Sequence, residues 1–418
     1  MRKLLILGGC YQANDEIVAY AKSRGIFTIV TDDYPVEKST TKLITDEYWD
    51  ISTEDIDALE KKCIEEKIDA VTCGISEYNI GQCIKLCERL HLPFYCDWES
   101  FSYSRDKLKF REQCNKVGVP MATYYHVTSE LKREDLDNIK YPVVVKPVDR
   151  NANRGISFCY NETELINAVQ LAHKESYCGR ILAERLLEGQ EYYANYAIAD
   201  GEVAFVGMGA MCSQPGYPYN CYVLETSNSE EFYHFKEEIN DKMIELIKSM
   251  GCKEGYCWFE FILDKDDHFY VLEMGYRLTG TLMHRSQKYA TGFDALKWLV
   301  DCSLGVKHTP EDLPKSPEKP YETIYNNFSI WNQRECVVSA IEGLDELEEI
   351  PTMEISFVAK VGDSFTQYRH IGTLTFVSKN TQNLEEILLQ IRDKLKVLDE
   401  KGENLPIFFT DFEQLKKA

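Results

Sequence analysis

Two short segments hold the residues best suited to chemistry. Trp258-Phe259-Glu260 is followed by Tyr270-Val271-Leu272-Glu273-Met274-Gly275-Tyr276-Arg277, and the polar run Asp264-Lys265-Asp266-Asp267 lies between them. The pattern predicts two strands joined by a turn, with one carboxylate on each strand and an arginine beyond. Such a group makes a site for a divalent metal and an anion. Oxygen ligands of this type suit Mg²⁺ carrying a nucleotide's phosphates.

Other residues could serve the same ligand. Lys146 ends the β-branched run Val143-Val144-Val145 just before Pro147. An ammonium at the end of a buried strand calls for a partner. The loop behind it, Asp149-Arg150-Asn151-Ala152-Asn153-Arg154-Gly155-Ile156-Ser157, could cover phosphates with backbone N–H groups and Arg154. A solvated turn with a surface lysine explains both features equally well. In Glu184-Arg185-Leu186-Leu187-Glu188-Gly189-Gln190-Glu191, a strand ends in Leu-Glu-Gly and exposes backbone groups that can read adenine's edge. Glu191 lies within reach of ribose hydroxyls. Taken alone, that stretch reads more simply as a strand edge with surface acids, and Lys107 as a surface helix lysine. His284, in Leu282-Met283-His284-Arg285, could orient a substrate carboxylate or shuttle a proton. Ordinary polar residues at a helix start are the plainer alternative. Glu77 sits at a strand end that could face the same cleft, and the loop Gly216-Tyr217-Pro218-Tyr219-Asn220 reads first as packing.

The elements that must position these residues alternate early in the chain. Strand signals at 3–7, 27–30 and 70–73 interleave with helix signals at 14–23, 53–66 and 80–90. This predicts a small βαβ parallel sheet over residues 1–98. Gly8-Gly9 ends its first strand, but no GxGxxG follows, which favours a tight turn over a dinucleotide site. Next come a helix over 106–117 carrying Lys107, strands at 141–146 and 180–187 around a helix at 163–173, and a hairpin of 192–199 and 202–209 about Asp200-Gly201. A helix over 235–250 precedes the two-carboxylate hairpin. The Pro- and charge-rich stretch 308–320 reads as a linker into a last module with strands at 353–361 and 372–377 and a helix at 383–398.

Composition narrows the partners. The chain has 418 residues and a formal net charge of -22, which argues against nucleic acid, since phosphate backbones need a basic face. An anionic ligand must then be met locally, by a few lysines, arginines and metal. The 15 cysteines are scattered, with no CxxC pair and no His/Cys cluster, so reduced thiols are expected rather than disulfides or zinc. The apolar run after Met1-Arg2-Lys3 is short, a strand rather than a signal peptide, and no run approaches a membrane span. A cytoplasmic protein with no membrane partner is expected.

In order and spacing, these parts resemble the ATP-grasp superfamily: a lysine, a strand-ending Lys-Pro with a small or polar loop, Glu-x-x-x-x-Gly-x-Glu, paired glutamates on two strands, then Arg. The resemblance covers about residues 1–300. The last module, through Val361-Gly362-Asp363 and Ile371-Gly372-Thr373-Leu374, is similar to that of L-amino-acid-ligase-like and biotin-carboxylase-like members. Carbamoyl-phosphate-synthase-like members share the pattern. The resemblance implies a mixed α/β and α+β fold. An N-terminal βαβ pre-ATP-grasp domain (1–98) would precede an ATP-grasp core of two α+β lobes (99–305, lid lobe about 123–187) and a C-terminal α+β module (306–418).

The resemblance also implies roles. Lys107 and Lys146 match phosphate-contacting lysines, and Glu184 the acid facing the adenine amino group. Arg185 and Leu187 match the adenine-pairing hinge, Glu191 the ribose acid, and Glu260 and Glu273 the Mg²⁺ ligands. Arg277 matches the arginine that steadies an acyl phosphate, with Lys146 and Arg154 stabilising the remaining charge. Two departures stand out. Gly275 replaces the asparagine of Glu-x-Asn-x-Arg, and Asn151-Ala152-Asn153 is poorer in glycine and serine than is usual. The implied activity is ATP-dependent activation of a small carboxylic acid, preferably an amino acid or peptide-like acid, and its coupling to an amine with release of ADP and phosphate. The cofactors would be ATP and Mg²⁺, the partners small carboxylate and amine substrates, and a homodimer one assembly open to it. Bicarbonate activation in a carboxylating or carbamoylating enzyme, and a non-catalytic nucleotide-binding module, stay open beside it.

Overall fold

The computed structural model describes residues 1–10, 12–149, 155–217, 221–227 and 230–416. Strands β1 (Lys3–Leu7), β2 (Phe27–Thr31), β3 (Glu47–Trp49) and β4 (Ala70–Thr72) form a parallel sheet in the order β3-β2-β1-β4. Helices α1 (Gln12–Ser23), α2 (Ile56–Glu66) and α3 (Glu77–Leu90) supply the crossovers. Strand alternation explains why β1 is apolar throughout. Leu4 and Ile6 pack with Ala13 and Ile17, while Leu5 and Leu7 face Ile56 and Leu59 across the other side. β3 escapes sequence reading because Glu47-Tyr48-Trp49 is short and lacks apolar alternation. α2 begins later than its apolar spacing predicts because Asp55 takes the cap, accepting the Ala58 N–H at 3.0 Å.

Helices α4 (Trp98–Arg105) and α5 (Lys107–Val117) lead into a second sheet. Its strands are β5 (Tyr124–Tyr125), β6 (Val143–Pro147), β7 (Ser157–Cys159) and β8 (Ile181–Arg185), in the order β5-β8-β6-β7. α6 (Arg133–Asp137) and α7 (Glu162–Glu175) accompany it, and Asn161 caps α7 by accepting the Glu164 N–H at 3.0 Å. Val143, Val145 and Ala183 are buried with Leu165 and Val169. The two-residue period of β6 therefore turns Val144 and Lys146 to the opposite face.

The largest sheet is antiparallel. It contains β9 (Gly189–Ala199), β10 (Glu202–Ser213) and β11 (Tyr222–Thr226), then β12 (Gly255–Asp264) and β13 (Phe269–Gly275) after helices α8 (Phe232–Phe235) and α9 (Asp241–Ser249). The β9–β10 turn has positive φ at Asp200 and Gly201, 48° and 79°, which suits the twist of a two-residue hairpin. Helices α10 (His284–Thr291) and α11 (Ala295–Ser303) follow, then β14 (Ile324–Trp331), β15 (Cys336–Glu342), α12 (Leu344–Glu348), β16 (Glu354–Phe357), β17 (Ser364–Phe365), β18 (His370–Ser378), α13 (Thr381–Lys394) and β19 (Lys396–Asp399). The strand order β13-β12-β9-β10-β11-β14-β18-β16 shows that three strands of the expected last module extend the core sheet. The expected boundary at 306 thus falls inside one continuous sheet. Only β17-β15-β19 stand apart as a small sheet among the described residues.

The two faces of the large sheet differ. Phe205, Phe259, Phe261 and Phe269 pack against Phe235 and Met243 on one side. The other side carries Glu191, Tyr193, Asn195, Glu260 and Glu273, because residues opposed in an antiparallel sheet project together.

Candidate nucleotide and metal site

The sheet β5-β8-β6-β7 and the large sheet enclose a cleft of about 470 Å³. Lys107, Lys146, Glu184, Arg185, Leu187, Glu191, Glu260 and Glu273 all line it. Its walls are apolar between these groups, through Val144, Ile156, Ile262 and Leu272. That lining suits a flat purine, with charged groups left for its phosphates.

Each side chain has a local reason for its place. Asp106 caps α5, accepting the N–H groups of Leu108 and Lys109 at 3.0 and 3.1 Å. The cap fixes Lys107 on the first turn, and its ammonium reaches Glu273 at 3.1 Å. Lys146, on the outward face of β6, pairs with Glu184 of β8 at 2.6 Å. Arg111 holds the other oxygen of Glu184 and donates to the Ala122 carbonyl at 2.8 Å. Sequence reading missed Arg111. Its signal was the four-residue spacing from Lys107, which places both cations on one helix face.

The hinge is tied from behind. Asp264 accepts the Glu188 N–H at 2.7 Å and pairs with Arg185 at 2.7 Å. The Arg185 side chain lies over the Tyr270 ring, and its N–H donates to the Thr123 carbonyl at 2.8 Å. The Leu187 N–H has no protein partner among the described residues, and Leu187 lines the cleft. Tyr222, also missed from sequence, donates to the Glu191 carboxylate.

Glu260 and Glu273 are direct cross-strand partners, and the register shifts just after Glu260. Their environments drive them apart. Desolvation and the charge of Glu273 push Glu260 well above the usual carboxylate range. Desolvation works the same way on Glu273, but Lys107, Lys146 and Arg277 together outweigh it and hold that carboxyl low. Burial raises Glu191 to about 7, Tyr222 opposing it. Burial, then the nearby charge of Lys107, lowers Lys146 to about 7. Two facing carboxylates, of which only Glu273 has an ion-pair partner among the described residues, form a donor set that a divalent ion fits.

Not every candidate lies in the cleft lining. Arg277 pairs with Glu77 at 3.0 Å and lies over the Trp258 ring, 5.2 Å from its centroid. Its charge still reaches Glu273. Glu77 also holds Arg105 at 3.1 Å. His284 is buried on α10 and bonds Glu16 of α1 at 3.1 Å, beside an Arg285–Glu16 pair at 2.6 Å. These contacts join α10 to the first sheet's layer and give His284 a structural anchor. Arg154 and the loop at 150–153 lie outside the described residues, as do Pro218, Tyr219 and Asn220.

The departure at Gly275 has a steric reason. A Cβ there would meet the Trp258 indole at 2.2–2.6 Å, and Trp258 is its cross-strand partner. The ring occupies the space a side chain at 275 would need. Away from the cleft, all 15 cysteines are free thiols. Glu254, Cys302 and His308 bring metal-type donors within 4.8 Å of one another, a grouping not foreseen in the scattered cysteine pattern. No helix among the described residues is long and apolar enough to cross a membrane.

Comparison with known proteins is consistent with this geometry. Residues 106–309 match the family model described as the carbamoyl-phosphate synthase L chain, ATP binding domain. The large chain of carbamoyl phosphate synthase from Thermoanaerobacter sp. is 24% identical over 301 residues, 68% of this chain and 27% of that one. The chain therefore spans about a quarter of that curated relative. Among solved structures, the L-amino acid ligase from Bacillus licheniformis superposes with a TM-score of 0.76 at 19% identity, covering 96% of this chain and 99% of that one. The biotin carboxylase domain of the Hydrogenobacter thermophilus 2-oxoglutarate carboxylase, solved with MgADP, ADP and bicarbonate, gives 0.73 at 18% identity, covering 95% and 91%. Residues 106–309 thus match an ATP-binding domain, and the fold along nearly the whole chain is that of these ligase and carboxylase structures.

Proposed function

We propose that this protein is an ATP-dependent carboxylate–amine ligase. It would phosphorylate a small carboxylic acid, an amino acid or peptide-like acid, and pass the acyl group to an amine, releasing ADP and phosphate. The observation that carries this reading is the enclosure of Lys107, Lys146, Glu191, Glu260 and Glu273 in one cleft beside a tied-back hinge.

The residues divide the work. Leu187 offers its N–H to adenine, and Glu191 faces the ribose. Lys107 and Lys146 meet the phosphates, with Arg277 placed to steady charge on the transferring group. Magnesium, held by Glu260 and Glu273, would neutralise charge between the outer phosphates. A carboxylate oxygen attacks the γ-phosphorus and ADP leaves. The amine then adds to the acyl carbon, loses its proton, and expels phosphate. No protein nucleophile is required.

Phosphate release from Mg-ATP with pooled amino acids tests the reading. ADP and phosphate formation dependent on the acid supports it. Turnover only with bicarbonate would favour carboxylation instead, AMP as product would exclude acyl-phosphate chemistry, and binding without turnover would leave a nucleotide-binding module.

A further inference from the structure

The polar face of the large sheet continues past the nucleotide cleft. Across the strands, Glu191 opposes Met211, Met211 opposes Glu225, Glu225 opposes Asn327, and Asn327 opposes Thr375. Opposed residues share a side, so Glu225 lies on the side that carries Glu260 and Glu273. It is 5% exposed. Its Oε2 accepts from the Asn327 amide at 2.6 Å, and the Thr281 hydroxyl also bonds it. Thr281 belongs to the turn that follows Arg277, four residues on in the chain. The charge of Glu225 is felt at Glu260.

What Glu225 lacks is a cation. No Lys, Arg or His of the described residues pairs with it. A carboxylate removed from water is disfavoured unless an opposite charge meets it. A second observation points the same way. Asn327 is fully buried, and its Oδ1 has no hydrogen-bond partner; neither has the Thr375 hydroxyl beside it in the row. An unpartnered amide oxygen and an unpartnered hydroxyl thus sit beside Glu225 in the same row.

We propose that Glu225, with Asn327 and Thr281, binds the protonated amino group of the amino acid whose carboxylate is activated in the cleft. This inference rests on the ligase reading above. The ammonium supplies the missing cation, and its N–H groups supply donors to Glu225 and to Asn327 Oδ1. The chemistry also selects which amine is held. The attacking amine must be neutral to use its lone pair, and a carboxylate partner would keep it protonated. The group at Glu225 is therefore the spectator ammonium of the acid, and Glu225 discriminates amino acids from plain carboxylic acids.

The test compares each amino acid with its des-amino analogue, alanine with propionate for example, by ADP release with a common amine acceptor. Wild type is expected to prefer the amino acid on the order of 10²-fold or more, as sites built around a buried polar group do. Glu225→Gln should lower kcat/KM for the amino acid at least about tenfold, leave KM for ATP within about twofold, and not slow the des-amino acid. Glu225→Asp, which keeps the charge, should retain the preference. Calorimetric binding of Mg-ADP to Glu225→Gln at wild-type affinity reports an intact fold. Equal use of both acids by wild type, or an unchanged kcat/KM in Glu225→Gln, overturns the inference while the ligase reading stands. No acid-dependent ADP release at all removes the ligase reading, and this inference with it.

Discussion

The two halves of the polar site are built differently. In the outer half, acids and cations are matched: Lys107 meets Glu273, and Lys146 and Arg111 share Glu184. In the inner half, Glu260, Glu191 and Glu225 have no ion-pair partner among the described residues, and all three carboxyls are raised. The outer half is thus complete as folded. The inner half is short of positive charge, which its ligands would have to bring. A buried acid without a cation costs stability whether it ionises or holds its proton, so three on one face argue for binding rather than for stability.

Removing an inner acid should have the largest effect. Glu260→Gln should lower acid-dependent ADP release on the order of 10³-fold and raise the Mg²⁺ concentration needed for half-maximal rate, both read by a coupled assay. Full activity in that variant would make the inner half dispensable. Next comes Arg277→Ala, expected to slow turnover on the order of 10²–10³-fold with KM for ATP little changed. A rise in KM alone would move Arg277 from the reacting group to nucleotide binding.

A smaller effect tests the packing between the strands. Gly275→Asn should destabilise the protein by about 1–3 kcal/mol, since the Trp258 ring fills that space. Thermal unfolding checks it, and Trp258→Ala in the same chain should recover part of the loss. If Gly275→Asn unfolds like wild type, the indole does not exclude a side chain there.

The smallest effect is in pH. The folded nucleotide-free protein holds protons on Glu191 and Glu225 up to about 7, whereas the unfolded chain loses them near 4.5. More protons on the folded state means that stability falls as pH rises through this window. Glu225→Gln should flatten part of that slope in a melting-temperature series. An unchanged slope would show that Glu225 ionises as an ordinary surface acid.

What could be read in advance followed from local pattern. The β12–β13 hairpin shows its alternation and polar turn, and Lys146 shows its strand end before Pro147. Residues matched across long separations gave no such signal. Glu225 and Asn327 are 102 positions apart, and His284 and Glu16 are 268 apart. Nothing near His284 in sequence tells that it anchors α10 to α1. The order of the large sheet was equally hidden, because β11 and β14 pair across 97 residues of intervening chain between Thr226 and Ile324. Gly275 was visible as a departure, but its cause lay in Trp258 on the other strand.

The most direct measurement follows oxygen. Amino acids carrying heavy oxygen in their carboxylates are incubated with the protein and Mg-ATP, and the released phosphate is weighed by mass spectrometry. Activation through an acyl phosphate predicts one heavy oxygen in each phosphate formed by ligation. Phosphate that leaves unlabelled from a working wild-type reaction would contradict the account.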